Sequence, residues 1–219
     1  LGEPANPAYD HEYFVDGGIA IRDAPFSASG DWRTVLVGST GAGGGKRRVG
    51  GGTVSDGSVF ALDVSAPGSF DADDVLWELS GEDHDDLGFV LGRPHIVPIK
   101  GSGGPRWVAL FGNGPNSSNG APVLFVVDLQ SGRVLRALKP SGEDHGQRNG
   151  LMHIAPVALA NSDGLVDTVY GGDLRGNVWK FDLGDASSTE WEVAFGGEPL
   201  FTAMRGGARQ PVAGAIEVS

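Results

Sequence analysis

One strand-like segment occurs three times in this chain, and that repetition restricts the possible folds more than any other feature. The copies align on an aspartate: SVFALDV on Asp63, VLFVVDL on Asp128 and NVWKFDL on Asp182. Large apolar residues occupy the same three positions around each aspartate: Phe60, Leu62, Val64; Phe125, Val127, Leu129; and Trp179, Phe181, Leu183. Because a period of two is typical of a strand with one buried face, we predict that these side chains point into the core. Each aspartate lies on the other face, where we expect it to begin an Asx-type turn.

Other strand-like runs flank each copy in a constant order. A run that ends in glycine comes before it (RTVLVG, WVALFG, DTVYGG), and an apolar run comes after it (VLWELS, RVLRAL, WEVAF). A fourth run precedes the whole set (GIAIRD, RPHIVPIK, HIAPVALA), and a further run of this kind, RQPVAGAIEV, begins at Arg209. Four short strands in a repeated order predict the blades of a β-propeller.

The predicted fold is therefore an all-β propeller with about three four-stranded blades plus one strand. We place the blades at about residues 12–80, 81–140 and 141–203, with the start of a further blade at 204–219. A β-sandwich would also use short strands and frequent turns. It would not by itself explain why the same order of four strands returns three times.

Composition agrees with this fold and excludes several functions. Glycine accounts for 37 of the 219 residues without forming a repetitive tract, which is typical of many tight turns. The formal net charge of −12 argues against nucleic-acid binding, because phosphate backbones require a basic surface. Cysteine is absent, so disulfides and thiolate metal sites are excluded. No apolar run reaches the roughly 18 residues of a membrane span.

The sequence begins at Leu1, without an initiator methionine, so we expect the chain to be an excised piece of a longer protein.

Familiar catalytic motifs do not occur. The sequence has no GxSxG elbow, HExxH motif, Walker loop or dinucleotide fingerprint. Carboxylates are numerous, but no pair is singled out by an apolar setting that would raise the pKa of one member. We therefore expect no enzymatic activity.

A glycine-rich insertion carries the basic residues Lys46, Arg47 and Arg48 within GAGGGKRRVGGGTVSDG. Variable loops on rigid strands are common sites of recognition, which makes these residues candidate contacts for an acidic partner. Flexible glycine insertions are also tolerated without any function. Both interpretations stay open.

Asn161, Asp163 and Asp167 stand at alternate positions in an acidic turn, NSDGLVD, with the Leu165 carbonyl near its end. Calcium takes several oxygen ligands, and short loops supply them at this spacing. Gly164 would permit the sharp turn. The residues alone leave open whether this is a calcium loop or an Asx-rich turn without an ion.

A set of motifs in constant order covers nearly the whole chain and resembles a known family. The motifs are HEYFVDG, WRTVLVGSTGAGG, GSVFALDV, VLWELS, LGFVLGRPHIV, FGNGPNSSNG, DGLVDTVYGGDLRGNVWKFDL and PLFTA. Together they are similar to the C-terminal propeller domain of PilY-type (PilC-like) type IV pilus proteins. The resemblance implies a modified β-propeller in the periplasm, at the outer membrane or on the cell surface at the pilus tip. It also implies association with minor pilins and other pilus components, with a host or surface ligand as a further candidate partner.

The same resemblance implies a calcium loop of nine residues with ligands at the first, third, fifth, seventh and ninth positions. Asn161, Asp163, Leu165 and Asp167 match the last four of these, and Leu159 occupies the first. The loss of one charged ligand implies that Ca²⁺ binding is weakened or lost.

The function expected from the resemblance is a non-enzymatic one in pilus biogenesis and tip-associated adhesion. It would support pilus assembly, the balance of extension and retraction, twitching motility and surface attachment through protein binding by loops. Two alternatives stay open. One is a quinoprotein-like propeller dehydrogenase, to which the WKFD-type strand bears some likeness, and the other is a surface binding scaffold without a pilus role.

Overall fold

The computed structural model describes residues 13–27, 30–49, 52–55, 57–141, 148–160 and 162–218. In these ranges the chain forms β-strands and short 3-10 turns and no α-helix. No helix within them is long and apolar enough to cross a membrane. The strands form three antiparallel sheets and two separate hairpins.

The first sheet contains the strands β1 (Ile19–Pro25) and β2 (Trp32–Ser39), followed after a hairpin by β5 (Ser58–Asp63) and β6 (Val75–Ser80). The hairpin consists of β3 (Lys46–Val49) and β4 (Gly52–Ser55). The second sheet contains β7 (His95–Gly101), β8 (Gly104–Gly112), β9 (Leu124–Asp128) and β10 (Val134–Leu138). Each sheet keeps its strands in chain order, apart from the inserted hairpin.

The third sheet contains β11 (Leu151–Val157), β12 (Thr168–Asp173), β13 (Asn177–Asp182) and the short β14 (Glu192–Val193). A fifth strand, β15 (Phe201–Thr202), also pairs with β13. The chain then forms a small hairpin of β16 (Met204–Arg205) and β17 (Ala208–Arg209). The order of four strands predicted from the sequence is therefore present in all three sheets.

The segment from Arg209 onward differs in extent from the predicted strand. Only Ala208–Arg209 is a strand, and residues 210–218 form none. The backbone of this segment instead bonds to earlier residues, since Val212 N donates to Asp173 O at 2.9 Å and Gln210 N donates to Ala203 O at 2.9 Å. Backbone groups need partners in any conformation, and here Asp173 of β12 and Ala203 supply them.

The core consists of two apolar layers on either side of the second sheet. On one face of β9, Phe125 and Val127 pack in a cluster with Val59 and Ala61 of β5. On the other face, Leu124 and its neighbours pack in a second cluster with the third sheet. The second sheet is thus covered on both faces, and each outer sheet is covered on the face toward it.

The predicted buried face is confirmed in two sheets and wrong in one. Phe125, Val127 and Leu129 are buried in the second sheet, and so are Trp179, Phe181 and Leu183 in the third. In the first sheet the buried residues are instead Val59 and Ala61, whereas Phe60, Leu62 and Val64 are half-buried. The equivalent face always looks toward the preceding sheet, and the described residues provide no sheet before the first.

The aspartate of each repeated strand caps the turn that follows, as predicted. Oδ1 of Asp63, Asp128 and Asp182 accepts a backbone N–H at 2.9 to 3.0 Å, from Ser65, Ser131 and Gly184 respectively. Asp63 and Asp128 also accept hydrogen bonds from an arginine of the neighbouring strand, at 3.0 Å from Arg33 Nη1 and 2.8 Å from Arg106 Nη2. These carboxylates stabilise turns and strand pairs.

Replacement of Trp179 by alanine should strongly destabilise the fold. The side chain is 1% exposed in the layer between the second and third sheets, and its Nε1 donates to Asp173 Oδ2 at 2.8 Å. A buried large-to-small change of this kind costs about 3–5 kcal/mol, measurable by urea denaturation. The matched control is Trp32→Ala, because Trp32 is 60% exposed and an exposed substitution usually changes stability by less than about 0.5 kcal/mol. Equal costs for the two variants would contradict this assignment of the core.

Acidification should remove stability that Asp63 and Asp128 supply. Burial raises the pKa of each carboxyl, but hydrogen bonds from serine and arginine outweigh it, so both pKa values lie below the ordinary 3.8. A carboxyl whose pKa is lower in the folded state stabilises the fold above the unfolded-state pKa and loses that contribution as the pH falls further. The urea midpoint should therefore drop as the pH falls below about 4.

The variant Asp128→Asn should lose less stability between neutral pH and pH of about 3 than the unsubstituted chain does. Arg106→Gln should act in the same direction, because it removes one of the groups that lower the pKa of Asp128. The difference in stability between the unsubstituted chain and Asp128→Asn should therefore shrink at low pH. An equal difference at both pH values would refute a pH-dependent contribution of Asp128 to stability.

Candidate functional site

Three connections between strands line one cleft. The β1–β2, β7–β8 and β11–β12 connections each join the first and second strands of a sheet, and they meet on the same side of the molecule. Ser27, Gly103 and Gly164 from these connections line a cleft of about 750 Å³. The third connection is held in place by Val166 N, which donates to Pro98 O at 2.8 Å.

The candidate calcium residues fall in the β11–β12 connection. Asn161 lies outside the described residues. Asp163 is exposed, and both it and Gly164 have positive φ values of 52° and 79°, which produces the sharp turn that the sequence predicts. The turn is closed by Leu165 N, which donates to Ser162 O at 2.8 Å.

Asp167 ends this turn with an unusual carboxylate. Its backbone is fully engaged, since Asp167 N donates to Val157 O at 3.2 Å and Leu183 N donates to Asp167 O at 2.7 Å. Its Oδ1 is buried and has no hydrogen-bond partner among the described residues. A buried oxygen without a partner is costly, and a bound cation would compensate for that cost.

The donor set agrees only in part with a calcium site. The described residues supply the carboxylates of Asp163 and Asp167 and the Leu165 carbonyl, whereas calcium takes six to eight oxygens. Leu159 supplies no side-chain oxygen, and its carbonyl already accepts from Ser162 N and Oγ. The described part of the chain contains no group of three or more acidic or histidine side chains placed to hold a metal. The turn therefore fits a weak site better than a strong one.

The walls of the cleft are unusually rich in aromatic and proline side chains. Pro25 pairs with Trp32 across β1 and β2, and Pro98 pairs with Trp107 across β7 and β8. Phe26, beside Pro25, completes the aromatic lining. The lining thus contains one proline–tryptophan pair from each of two neighbouring sheets, at different positions along their strands.

Charged groups hold these rings in place. The guanidinium of Arg22 lies 5.1 Å from the Trp107 ring centre, and that of Arg33 lies 5.1 Å from the Phe26 ring centre. Such cation–π contacts orient a ring and cover one of its faces. At the floor of the cleft Arg106 bonds to Asp128 through both Nε and Nη2, at 3.0 and 2.8 Å.

The candidate partner-binding residues Lys46, Arg47 and Arg48 form most of strand β3, which pairs with β4. The insertion is therefore a hairpin, and the side chains of these residues lie outside the described part of the structure. The hairpin follows β2, at the opposite end of that strand from the β1–β2 connection. Strand β3 is therefore not part of the three connections that line the cleft.

Sequence reasoning identified the acidic turn but not the cleft that the turn lines. The signal that could have indicated it is a proline in the first strand followed seven to nine residues later by a tryptophan in the second, at Pro25 with Trp32 and Pro98 with Trp107. The third sheet departs from this pattern, since Pro156 pairs with Val169. Only the packing of neighbouring sheets brings the two pairs together.

Comparisons with known proteins identify a family. The family model described as the PilY1 beta-propeller domain matches residues 5–219. A Type IV pilus biogenesis factor PilY1 homolog from Xylella fastidiosa is 43% identical over 233 residues, which cover 100% of this chain and 15% of that protein. Type IV pilus biogenesis factor PilY1 from Pseudomonas aeruginosa is 34% identical over 222 residues, which cover 94% of this chain and 17% of that protein.

The fold agrees with a solved structure from the same family. The crystal structure of the Pseudomonas aeruginosa PilY1 C-terminal domain superposes with a TM-score of 0.75 at 34% identity, covering 92% of this chain and 40% of that one. The prediction of a β-propeller is thereby confirmed. The chain spans only 15 to 17% of the length of these curated relatives.

Proposed function

Because this chain belongs to the PilY1 β-propeller domain family, we propose that it acts as a non-enzymatic binding domain of a type IV pilus biogenesis protein. The observation that carries the proposal is the family match over residues 5–219. Identity of 43% across the whole chain to a protein named as a pilus biogenesis factor homolog supports it further. These relatives favour a pilus role over the dehydrogenase and over a scaffold without any pilus connection.

The proposed partners are minor pilins and other pilus components, with a host or surface ligand as a second kind of partner. The location that follows is outside the cytoplasm, at the outer membrane or at the pilus tip. In that position the domain would support pilus assembly, the balance of extension and retraction, twitching motility and attachment. The support for a binding role is structural, because rigid sheets here carry variable connections such as the β3–β4 hairpin.

Deletion of the gene for the full-length protein should abolish twitching and reduce surface pili. A copy encoding the intact protein should restore both, whereas a copy that lacks this domain should restore neither. Immunoblotting of the truncated protein is the control, because an unstable product would also fail to complement. Full twitching with the truncated protein at normal abundance would overturn the proposed role.

We also propose that the β11–β12 turn binds Ca²⁺ weakly through Asn161, Asp163, the Leu165 carbonyl and Asp167. The support is the buried Oδ1 of Asp167, which has no other partner among the described residues. Bound Ca²⁺ would neutralise this oxygen and stiffen the turn beside the cleft. The leucine at the first ligand position limits the affinity, because calcium affinity depends on the number of charged ligands.

Calorimetric titration should detect weak Ca²⁺ binding that Asp167→Asn removes. Leu159→Asp restores a charged ligand at the first position and should tighten binding by about tenfold or more. Leu159 is exposed, so the substitution is compatible with the fold. Submicromolar affinity in the unsubstituted chain, or identical titrations for all three proteins, would contradict this account of the turn.

A further inference from the structure

Two tryptophans of this chain differ from the other three in how their indole N–H groups are used. Buried Trp77, Trp179 and Trp191 each donate a hydrogen bond of 2.8 Å, to Leu129 O, Asp173 Oδ2 and Asp185 O respectively. Trp32 and Trp107 line the cleft, and within the described residues their indole N–H groups donate to no protein acceptor. Trp32 is 60% exposed. Trp107 is half-buried, and its indole nitrogen is not among the buried polar atoms that lack a partner, so both indoles reach solvent.

The arrangement of the rings suits an extended ligand. Each of these tryptophans lies opposite a proline on the adjacent strand, Pro25 for Trp32 and Pro98 for Trp107. The two pairs come from neighbouring sheets, and Phe26 belongs to the same wall. The lining of the cleft thus combines two indole rings, one phenyl ring and proline rings, with Arg22 covering one face of Trp107 and Trp32 60% exposed.

We propose that this cleft binds a proline-rich segment of a partner protein in the polyproline II conformation. A polyproline II helix has no internal hydrogen bonds, so its carbonyls are free to accept from donors such as Trp32 Nε1 and Trp107 Nε1. Proline has no N–H, so such a ligand demands few acceptors from the protein. Aromatic-lined grooves are the surfaces that recognise these segments in proteins.

The polar groups of the cleft match this ligand and specify a charge. Asp128 is engaged by Arg106 and Ser131 and is therefore not available as an acceptor. Asp163, on the wall formed by the third sheet, is exposed, and its carboxylate bonds to no described residue. This carboxylate, on a chain with a net charge of −12, favours a basic residue beside the prolines.

An oligosaccharide is the competing occupant, because sugars also stack on exposed tryptophans. Each sugar hydroxyl both donates and accepts, so a sugar site needs acceptors as well as donors. Here the two indoles supply donors only, Asp128 is already used, and Asp163 is an exposed acceptor. A peptide with free carbonyls and one basic residue would engage both indoles and Asp163, and a titration with an oligosaccharide separates the two occupants.

The test is calorimetric titration of the 219-residue chain with a capped synthetic peptide of one arginine followed by about eight prolines. We expect saturable binding with one peptide per chain. Trp32→Ala should weaken it by about tenfold or more, because aromatic anchors dominate such interfaces. Trp32→Phe keeps a ring but removes the donor and should cause a smaller loss.

Two controls distinguish binding at this cleft from non-specific binding of the peptide. Phe201→Ala removes an equally exposed aromatic ring that is not among the lining residues and should leave the affinity unchanged. Asp163→Asn should weaken binding of the arginine peptide several-fold while leaving a peptide with glutamine in place of arginine unaffected. Thermal melts should be the same for the chain and all four variants.

The proposal fails if the arginine–proline peptide shows no saturable binding up to millimolar concentration. It also fails if Trp32→Ala and Trp32→Phe bind the peptide as well as the unsubstituted chain. Saturable binding of an N-acetylglucosamine tetramer that depends on Trp32, without peptide binding, would assign the cleft to sugars instead. These measurements use a synthetic ligand, so their outcome is independent of the proposed pilus role.

Discussion

The stacking of twisted sheets face to face is the interaction on which the rest of this structure depends. The second sheet is buried on both faces, with Phe125 in one apolar layer and Leu124 in the other. Each layer joins two sheets, so no sheet here has a core of its own. Apolar contact between sheets is the main favourable contribution to such a fold. It also fixes which strand connections become neighbours, and hence where a binding site can form.

Much of this architecture could be predicted from the period of two around Asp63, Asp128 and Asp182. That period shows which residues share a face and which aspartates cap turns, and both predictions hold in the structure. It cannot show which face is covered. Phe60 occupies the same position in its strand as Phe125, yet it is only half-buried, because burial depends on the neighbouring sheet and not on the strand itself.

The part of the candidate site that could be predicted from the sequence is the part made of consecutive residues. The turn around Asp163 is encoded by consecutive polar residues and a glycine, and the structure gives it the predicted sharp geometry. The cleft is different, because Trp32 lies in β2, Trp107 in β8 and Asp163 in the β11–β12 connection. Their proximity results from sheet stacking and from strand register, which no short motif records.

The turn and the cleft share Asp163, and this sharing couples the two proposed ligands. A carboxylate that coordinates Ca²⁺ has less charge to offer a basic residue in the cleft, so the two ligands should compete for it. The buried oxygen of Asp167 acts in the opposite direction, since a cation bound there would order the turn that forms one wall of the cleft. By linkage, the factor by which Ca²⁺ changes the affinity for the peptide equals the factor by which the peptide changes the affinity for Ca²⁺. If each ligand weakens the other, the turn contributes to the cleft mainly through the charge of Asp163. If each ligand strengthens the other, the turn contributes mainly through its rigidity.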